Sequence, residues 1–245
     1  MGYGDFILMR DMDFTVCRGD VFAIMGGSGC GKSTLMRILV GLKAPNAGSV
    51  HYGDIDFWLL TEAEREHMMQ RFGVLYQSGA LWSSMTLAEN VGLPIELYTD
   101  LDRAEIAEMV RFKLSLVGLS GFEDYYPSEI SGGMRKRAGL ARAIALDPEV
   151  LFFDEPSAGL DPVSAKNLDD LIIEINQSLG ATVIIVTHEL LSIFAIANNS
   201  VFLDSTTRKA AATGDPKVML ETSDNPDVIR FLTRGEGTGN LNIRT

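Results

Sequence analysis

The chain is 245 residues long, with 46% hydrophobic residues, a mean hydropathy of +0.12 and a formal net charge of −12. That length suits one α/β domain carrying an inserted subdomain, and the acidic balance argues against nucleic acid as a partner, which would call for a basic footprint. No apolar run approaches the ~18–20 residues of a spanning helix, and residues 1–10 lack the order of a signal peptide, so a cytosolic chain is expected, able to dock on a membrane protein.

In chain order, the run 21–25 is wholly apolar and stops at Gly26, the pattern of a buried central strand. Residues 33–40 predict a helix, with Leu35, Ile38 and Leu39 on one face and Gly41 near its end. Cys17 and Cys30 are too few for a metal site and are expected as reduced thiols. Residues 49–57 predict a short strand pair, Thr61 with Glu64 a capping box opening a helix over 62–70, and 73–76 another short strand. After Gln77 the character changes. Thr86 and Glu89 form a second capping box, and 102–117 places Ile106, Met109, Val110, Leu114 and Val117 at helical spacing. The stretch through Leu146 is expected to be a mainly helical insert. Strands resume at 150–153 and 182–186, continuous apolar runs of the kind parallel sheets bury on both faces. Between them Asp161 can cap a helix with Pro162 at its first position and Gly180 past its end. From Arg234 onward there is no periodicity, and a mobile end is expected.

Gly26, Gly27, Ser28, Gly29, Cys30, Gly31, Lys32 and Ser33 match G-x4-G-K-[ST] between the first strand and the first helix. Glycines let the backbone turn its N–H groups inward around phosphates. The helix N-terminus behind them adds roughly half a positive charge at the same point. Lys32 would reach the β/γ-phosphates and the Ser33 hydroxyl would coordinate Mg²⁺. A chance glycine-rich turn is the competing reading, and the strand–loop–helix setting weighs against it.

The strand 150–153 delivers Asp154 and Glu155 to its polar C-terminal end, where open α/β sheets bind ligands. Asp154 would support Mg²⁺ through water, and Glu155 would polarise the attacking water as general base. Alone, such a pair is usually a solvated turn; beside a phosphate loop the catalytic reading is the better one. His188 follows the strand 182–186 in the same way and could hold the γ-phosphate and the water. A lone histidine there is more often a cap or a satisfied polar group, the reading kept for His51 and His67. Gln77 has the same placement, with an amide able to touch Mg²⁺ or water. Ser131, Gly132 and Gly133 precede a helix predicted over 134–145. They make either an anion site, strengthened by Arg135, Lys136, Arg137 and Arg142, or simple capping ahead of a solvated basic face.

Together these segments resemble the ATPase subunit of ABC transporters over nearly the whole chain. Residues 26–33 are similar to the Walker A motif, Gln77 to the Q-loop, 130–134 to the signature motif and 150–155 to Walker B; 157–161 resemble the D-loop and His188 the switch histidine. The resemblance implies an α/β fold: a P-loop NTPase (RecA-like) core with a mainly parallel sheet, a small antiparallel β subdomain and an inserted α-helical subdomain. It divides the chain into a nucleotide-binding core of 1–77 and 148–220, a helical subdomain of 78–147 and a C-terminal extension of 221–245. It implies ATP and Mg²⁺ as cofactors, with Glu155, His188 and Gln77 catalytic, Ser33, Gln77 and Asp154 on the metal, and Thr34 joining 26–33 around the phosphates. Tyr3 stands at the spacing of the aromatic that stacks on adenine. In this family the signature segment of one subunit contacts the γ-phosphate held by the other. A second copy of the chain is therefore implied as partner, with Ser131, Gly132, Gly133 and Asp161 completing each ATP site.

Residues 77–81, the segment 131–137 with Met134 where many ABC proteins have glutamine, and 154–160 resemble the ATPases of MCE lipid-transport systems. That implies a peripheral place on the cytoplasmic face of a bacterial inner membrane, with an integral-membrane permease, a periplasmic MCE protein and a STAS-domain regulator as partners. The stretch 77–94, exposing Leu81, Trp82 and Met85, would dock the permease. An importer of a polar solute shares all of this ATP chemistry. A soluble ABC ATPase acting on DNA or ribosomes would need basic surfaces, a second ATPase domain or a coiled-coil insert. Three departures stand out: the strand expected before Tyr3 is missing, which points to a truncated or misassigned start, and Asn199 and Glu189 occupy positions where aspartate is more usual.

Overall fold

In the computed structural model, which describes residues 1–4 and 6–235, the apolar runs become the centre of one sheet. The chain opens with an antiparallel hairpin, β1 (Gly2–Tyr3) and β2 (Phe6–Ile7), then enters β3 (Val21–Gly26) and α1 (Lys32–Leu39). A second antiparallel pair, β4 (His51–Tyr52) and β5 (Ile55–Asp56), precedes α2 (Glu62–Met69) and β6 (Phe72–Leu75). The insert consists of α3 (Leu87–Tyr98), α4 (Arg103–Leu116) and α5 (Gly132–Ala143). The chain returns through β7 (Val150–Asp154), α6 (Pro162–Leu179), β8 (Thr182–Val186) and α7 (Leu190–Ile196). It then adds β9 (Asn199–Asp204), β10 (Lys209–Thr213), α8 (Pro216–Thr222) and α9 (Pro226–Leu232).

The sheet runs β10-β9-β3-β8-β7-β6, parallel throughout except for β10. Because successive strand residues face opposite sides, the central strands feed two cores. Val21, Ala23, Met25, Leu151, Phe153, Val183 and Ile185 face one, with the insert, α6 and α7. Phe22, Ile24, Phe152, Ile184 and Val186 face the other, against Leu35, Met36 and Leu39 of α1. Burial on both faces explains why these runs show no polar alternation.

Helix starts follow the sequence. Thr61/Glu64, Thr86/Glu89 and Asp102/Glu105 each close a capping box, and Asp161 caps α6 ahead of Pro162. Strands β9 and β10 and the first hairpin have no counterpart among the sequence expectations. Only Val201, Phe202 and Leu203 of β9 form an apolar run, and β10 is mostly alanine. Both are strands because β3 and then β9 offer a ladder to pair with, not through their own propensity. Helices α8 and α9 bury Met219, Val228 and Leu232 in the main core. The mobile end expected from Arg234 onward falls, from position 236, outside the described residues.

One buried polar link crosses the main core. Asp169 of α6, 5% exposed, faces Ser192 of α7, whose hydroxyl lies 3.4 Å from that of Ser157. Burial pushes the Asp169 carboxyl up to about 6, and one of its oxygens has no partner. A carboxyl raised in the folded state stabilises fully below the ordinary aspartate value, and that contribution is lost as pH rises through about 6. The loss amounts to roughly 2–3 kcal/mol at neutral pH. Asp169→Asn is therefore expected to raise Tm by about 5 °C at pH 7.5 and by about half as much at pH 5; thermal melts with an equal gain at both values would contradict this.

Candidate functional site

Parallel pairing places the C-terminal ends of β6, β7, β8 and β3 side by side. Leu75 pairs with Phe153, Asp154 with Val186, and Ile24 with Val186. The residues just beyond these ends are Gln77, Asp154 with Glu155, His188, and the loop from Gly26 to Ser33. Four segments distant in sequence thus share one sheet edge.

The loop is shaped to receive an anion. Gly26, Gly29 and Gly31 hold positive φ values of 145°, 76° and 101°. A Cβ on Gly26 would lie 2.4 Å from the Leu203 carbonyl oxygen, because β9 pairs there with Gly26 itself. The Lys32 ammonium donates to the Gly26 and Gly27 carbonyls at 2.8 and 3.1 Å, which folds the side chain over the loop. Helices α2 to α6, α8 and α9 are each capped by a side chain at the N-terminus, whereas α7 and α1, the latter opening behind left-handed Gly31, receive no side-chain bond. The first amides of α1 are left for a ligand, which fits a phosphate chain. Cys30 is buried, and burial pushes its thiol up.

Tyr3 joins this neighbourhood through its hydroxyl, 3.2 Å from Thr34 Oγ1, with the Lys43 ammonium 4.7 Å from its ring centre. The Thr34 hydrogen bond pulls the phenol below its usual value. Tyr3 remains half exposed.

Asp154 ends β7. Burial raises its carboxyl, the charge of Glu155 adds to this, and Arg37 and Lys32 oppose it. Among the described residues no cluster of three His, Cys, Asp or Glu side chains is built to hold a metal. The donors present are the Ser33 hydroxyl, the Asp154 carboxylate and the exposed Gln77 amide. So few protein oxygens suit Mg²⁺, which keeps water and takes the rest of its shell from phosphates.

Glu155 sits in the left-handed region at φ 50°, its N–H donating to the Val186 carbonyl at 2.8 Å. One carboxylate oxygen lies 2.7 Å from His188 Nδ1; the other is buried without a partner. A strained backbone and an unsatisfied buried acceptor are features that cluster at reacting centres. His51 and His67 are exposed on β4 and α2, as His188 is on its loop, and it is the Glu155 partner that sets His188 apart.

Ser131 caps α5 by accepting from the Met134 N–H. Ser131, Gly132, Gly133, Gly159, Leu160 and Asp161 line part of a cleft of about 710 Å³ that contains no residue of 26–33. The basic residues behind them form neither a solvated face nor an anion cluster. Arg135 donates to the Pro127 and Ile130 carbonyls, Arg137 to Val117 and Gly118, Arg142 to Gly79 and Ala80, and Lys136 to Pro156 and Ala158.

Asn90 is also absent from the sequence expectations. Its side chain is fully buried in α3, donates to the Trp82, Met85 and Thr86 carbonyls and accepts from the Trp82 N–H, fixing the loop after Gln77. A buried asparagine inside an apolar helix face was the available signal. Arg37, which faces both Asp154 and Tyr3, left none.

The ABC transporter family model matches residues 9–158. The chain is 41% identical over 230 residues to the probable ribonucleotide transport ATP-binding protein mkl of Mycobacterium tuberculosis; the match covers 94% of this chain and 63% of that one. The chain thus spans less than two thirds of that relative's length. It is 37% identical over 241 residues to the intermembrane phospholipid transport system ATP-binding protein MlaF of Haemophilus influenzae, covering 98% of this chain and 90% of that one. Among solved structures, the dimeric post-hydrolysis state of the ATP-binding cassette MJ0796 bound to ADP and Pi aligns with a TM-score of 0.76 and 25% identity, over 88% and 94% of the two chains. The cbiO1 protein of Clostridium perfringens, part of the cbiONQ complex, aligns with a TM-score of 0.77 and 27% identity, over 90% and 86%.

Gly26→Ala tests the loop geometry. A Cβ forced against the β9 backbone at positive φ is expected to cost roughly 2–4 kcal/mol of stability and most nucleotide binding. A thermal melt and a titration with a fluorescent ATP analogue, both unchanged from wild type, would refute it.

Proposed function

The chain belongs to the ABC transporter family, and from there we propose that it is the ATP-hydrolysing subunit of a bacterial lipid transporter, acting as two copies beside an integral-membrane permease. The observation that carries the ATPase reading is Glu155, a part-buried carboxylate just past the end of β7, one of whose oxygens is buried without a partner. In this reading Lys32 and the loop amides hold the phosphates of ATP. Ser33, Asp154 and Gln77 would hold Mg²⁺, which spreads the phosphate charge when bound. Glu155 takes the proton of the attacking water, and His188 orients Glu155 through the 2.7 Å bond. Tyr3 is assigned to the adenine side.

The dimer reading is supported by the separation of Ser131, Gly132, Gly133 and Asp161 from the phosphate loop within one chain. A second copy brings its α5 N-terminus to this loop and receives the same in return, the arrangement that the dimeric relative bound to ADP and Pi makes reasonable. The lipid cargo is supported by likeness to MlaF over 98% of the chain; a periplasmic MCE protein and a STAS-domain regulator belong to the same reading. The permease would hold the subunit at the cytoplasmic face of the inner membrane. Among the described residues no helix is long and apolar enough to cross a membrane. Likeness to mkl, a probable ribonucleotide transport ATP-binding protein, favours a second reading, a transporter of a polar solute. Purification from detergent-solubilised membranes with mass spectrometry of proteins and lipids separates the two: a co-purifying MCE protein with phospholipid supports the first, a polar-solute permease without either overturns it.

Permease docking is assigned to the loop after Gln77 and to α3. Trp82 is 59% exposed, and Leu97 and Tyr98 at the other end of α3 are exposed beside a cavity of about 270 Å³ that they line with Leu93 and Pro94. Leu81, expected on this surface, instead packs against the main core, because Asn90 fixes the loop with that side chain turned inward. Trp82→Glu together with Met85→Glu is expected to cut permease co-purification at least fivefold, roughly a 1 kcal/mol loss, with basal ATPase preserved. Undiminished co-purification sinks the docking assignment. Glu155→Gln is expected to lower kcat by about 10²–10⁴-fold and to leave an ATP-dependent dimer on size-exclusion chromatography; wild-type turnover would remove Glu155 as the base.

A further inference from the structure

Each basic side chain near the start of α5 holds the backbone of a different segment, but one of them reaches the reacting centre. Lys136 is 6% exposed, and its ammonium donates to the Pro156 carbonyl at 2.6 Å and the Ala158 carbonyl at 2.5 Å. These carbonyls flank Ser157 and immediately follow Glu155. The same turn contains a strained residue: Glu155 is at φ 50°, and the Ala158 N–H reaches back to the Glu155 carbonyl at 3.2 Å. A non-glycine residue stays left-handed only when its surroundings hold it there. On one side the Val186 carbonyl holds the Glu155 N–H. On the other side it is Lys136 that fixes the chain.

We infer that Lys136 is a positioning residue for the ATPase reaction, fixing the Glu155–Ala158 turn so that the Glu155 carboxylate points at the attacking water. The inference rests on the ATPase reading above. Lys136 touches neither nucleotide nor water in this scheme; it acts through the backbone of the base. Its charge also faces the Glu155 carboxylate. Burial pulls the Lys136 ammonium below the usual lysine value, and the charge of Glu155 opposes that pull. An apolar side chain at 136 would leave both carbonyls without their donor and free the turn to relax, which a reaction depending on sub-ångström placement registers mainly in kcat.

The test compares the purified full-length wild type, Lys136→Met and Lys136→Arg in steady-state ATP hydrolysis. Rates are expressed per nucleotide site titrated with a fluorescent ATP analogue, so that any misfolded fraction drops out. Lys136→Met is expected to lose about tenfold or more in kcat with KM within twofold of wild type. Lys136→Arg, which keeps a charged donor, is expected to recover at least a third of the lost rate. A Lys136→Met protein with wild-type kcat per site overturns the inference, and so does a loss that appears in KM alone or that arginine leaves unrepaired. Should Lys136→Met fail to fold, Lys136→Gln is judged by the same split. A wild-type chain that binds the analogue and never hydrolyses ATP defeats the ATPase reading and this inference with it; a hydrolysing wild type with an unaffected Lys136→Met defeats the inference alone.

Discussion

The parallel register of β6, β7, β8 and β3 is the constraint from which the site follows. In parallel strands every C-terminal end lies at the same edge, so Gln77, Glu155, His188 and the phosphate loop meet there without any direct pull between them. The register is held by burial. Ala23 and Phe22, or Leu151 and Phe152, go to opposite cores, and a slip of one residue would exchange all of them. A one-residue shift that moved Glu155 along its strand would therefore also turn two cores inside out. The geometry at this sheet edge takes its precision from hydrophobic sorting, a far larger energy than the hydrogen bonds within the site.

Helix α5 is the second organising element, and it works through charge as well as burial. The chain carries 33 acidic against 21 Lys and Arg side chains, and several of those cations point inward. Lys113 of α4 is 2% exposed against the Asp147 carboxylate, and on α5 Lys136 is enclosed and Arg142 holds the Gly79 and Ala80 carbonyls. A charged donor to a carbonyl contributes roughly 1.5–3 kcal/mol and leaves an expensive orphan when removed. The loops after β6 and β7 have no ladder of their own, so these donors set their conformation. Close backbone approach completes the clamp: a Cβ on Gly139 would sit 2.9 Å from the Gly79 carbonyl oxygen.

Where one segment carries its own signal, the sequence and the structure agree. The runs ending in Gly26, Asp154 and Val186 are strands, the Thr61 and Thr86 capping boxes open α2 and α3, and Asp161 with Pro162 opens α6. What remained hidden depends on partners far along the chain. Strand β10 is an alanine-rich segment made a strand by β9. Arg135, Lys136, Arg137 and Arg142 read as an anion site or a wet basic face because nothing in a sequence shows which carbonyls lie within reach. The same holds for the pairing of His188 with Glu155, 33 positions apart, and for Asp169, whose burial against Ser192 no local pattern announces. Leu81 was misplaced for a related reason: an apolar residue in a loop looks exposed until a buried asparagine folds that loop over the core.

The two halves bear differently on one question, which is how a nucleotide site split between chains would be kept in step. On the dimer reading, Ser131, Gly132 and Gly133 serve the partner's phosphates, whereas Glu155 serves the chain's own. Lys136 lies on the same helix as that N-terminus, a little over one turn further along. A rigid helix cannot move its first turn toward a partner without carrying its second turn too. Through Lys136 that movement reaches the turn after Glu155, and through Arg142 it reaches the loop after Gln77. One helix therefore links what this chain offers its partner to how this chain holds its own base. The burial of the Lys136 ammonium makes that link stiff, since letting it slip would strand a buried charge and two carbonyls together.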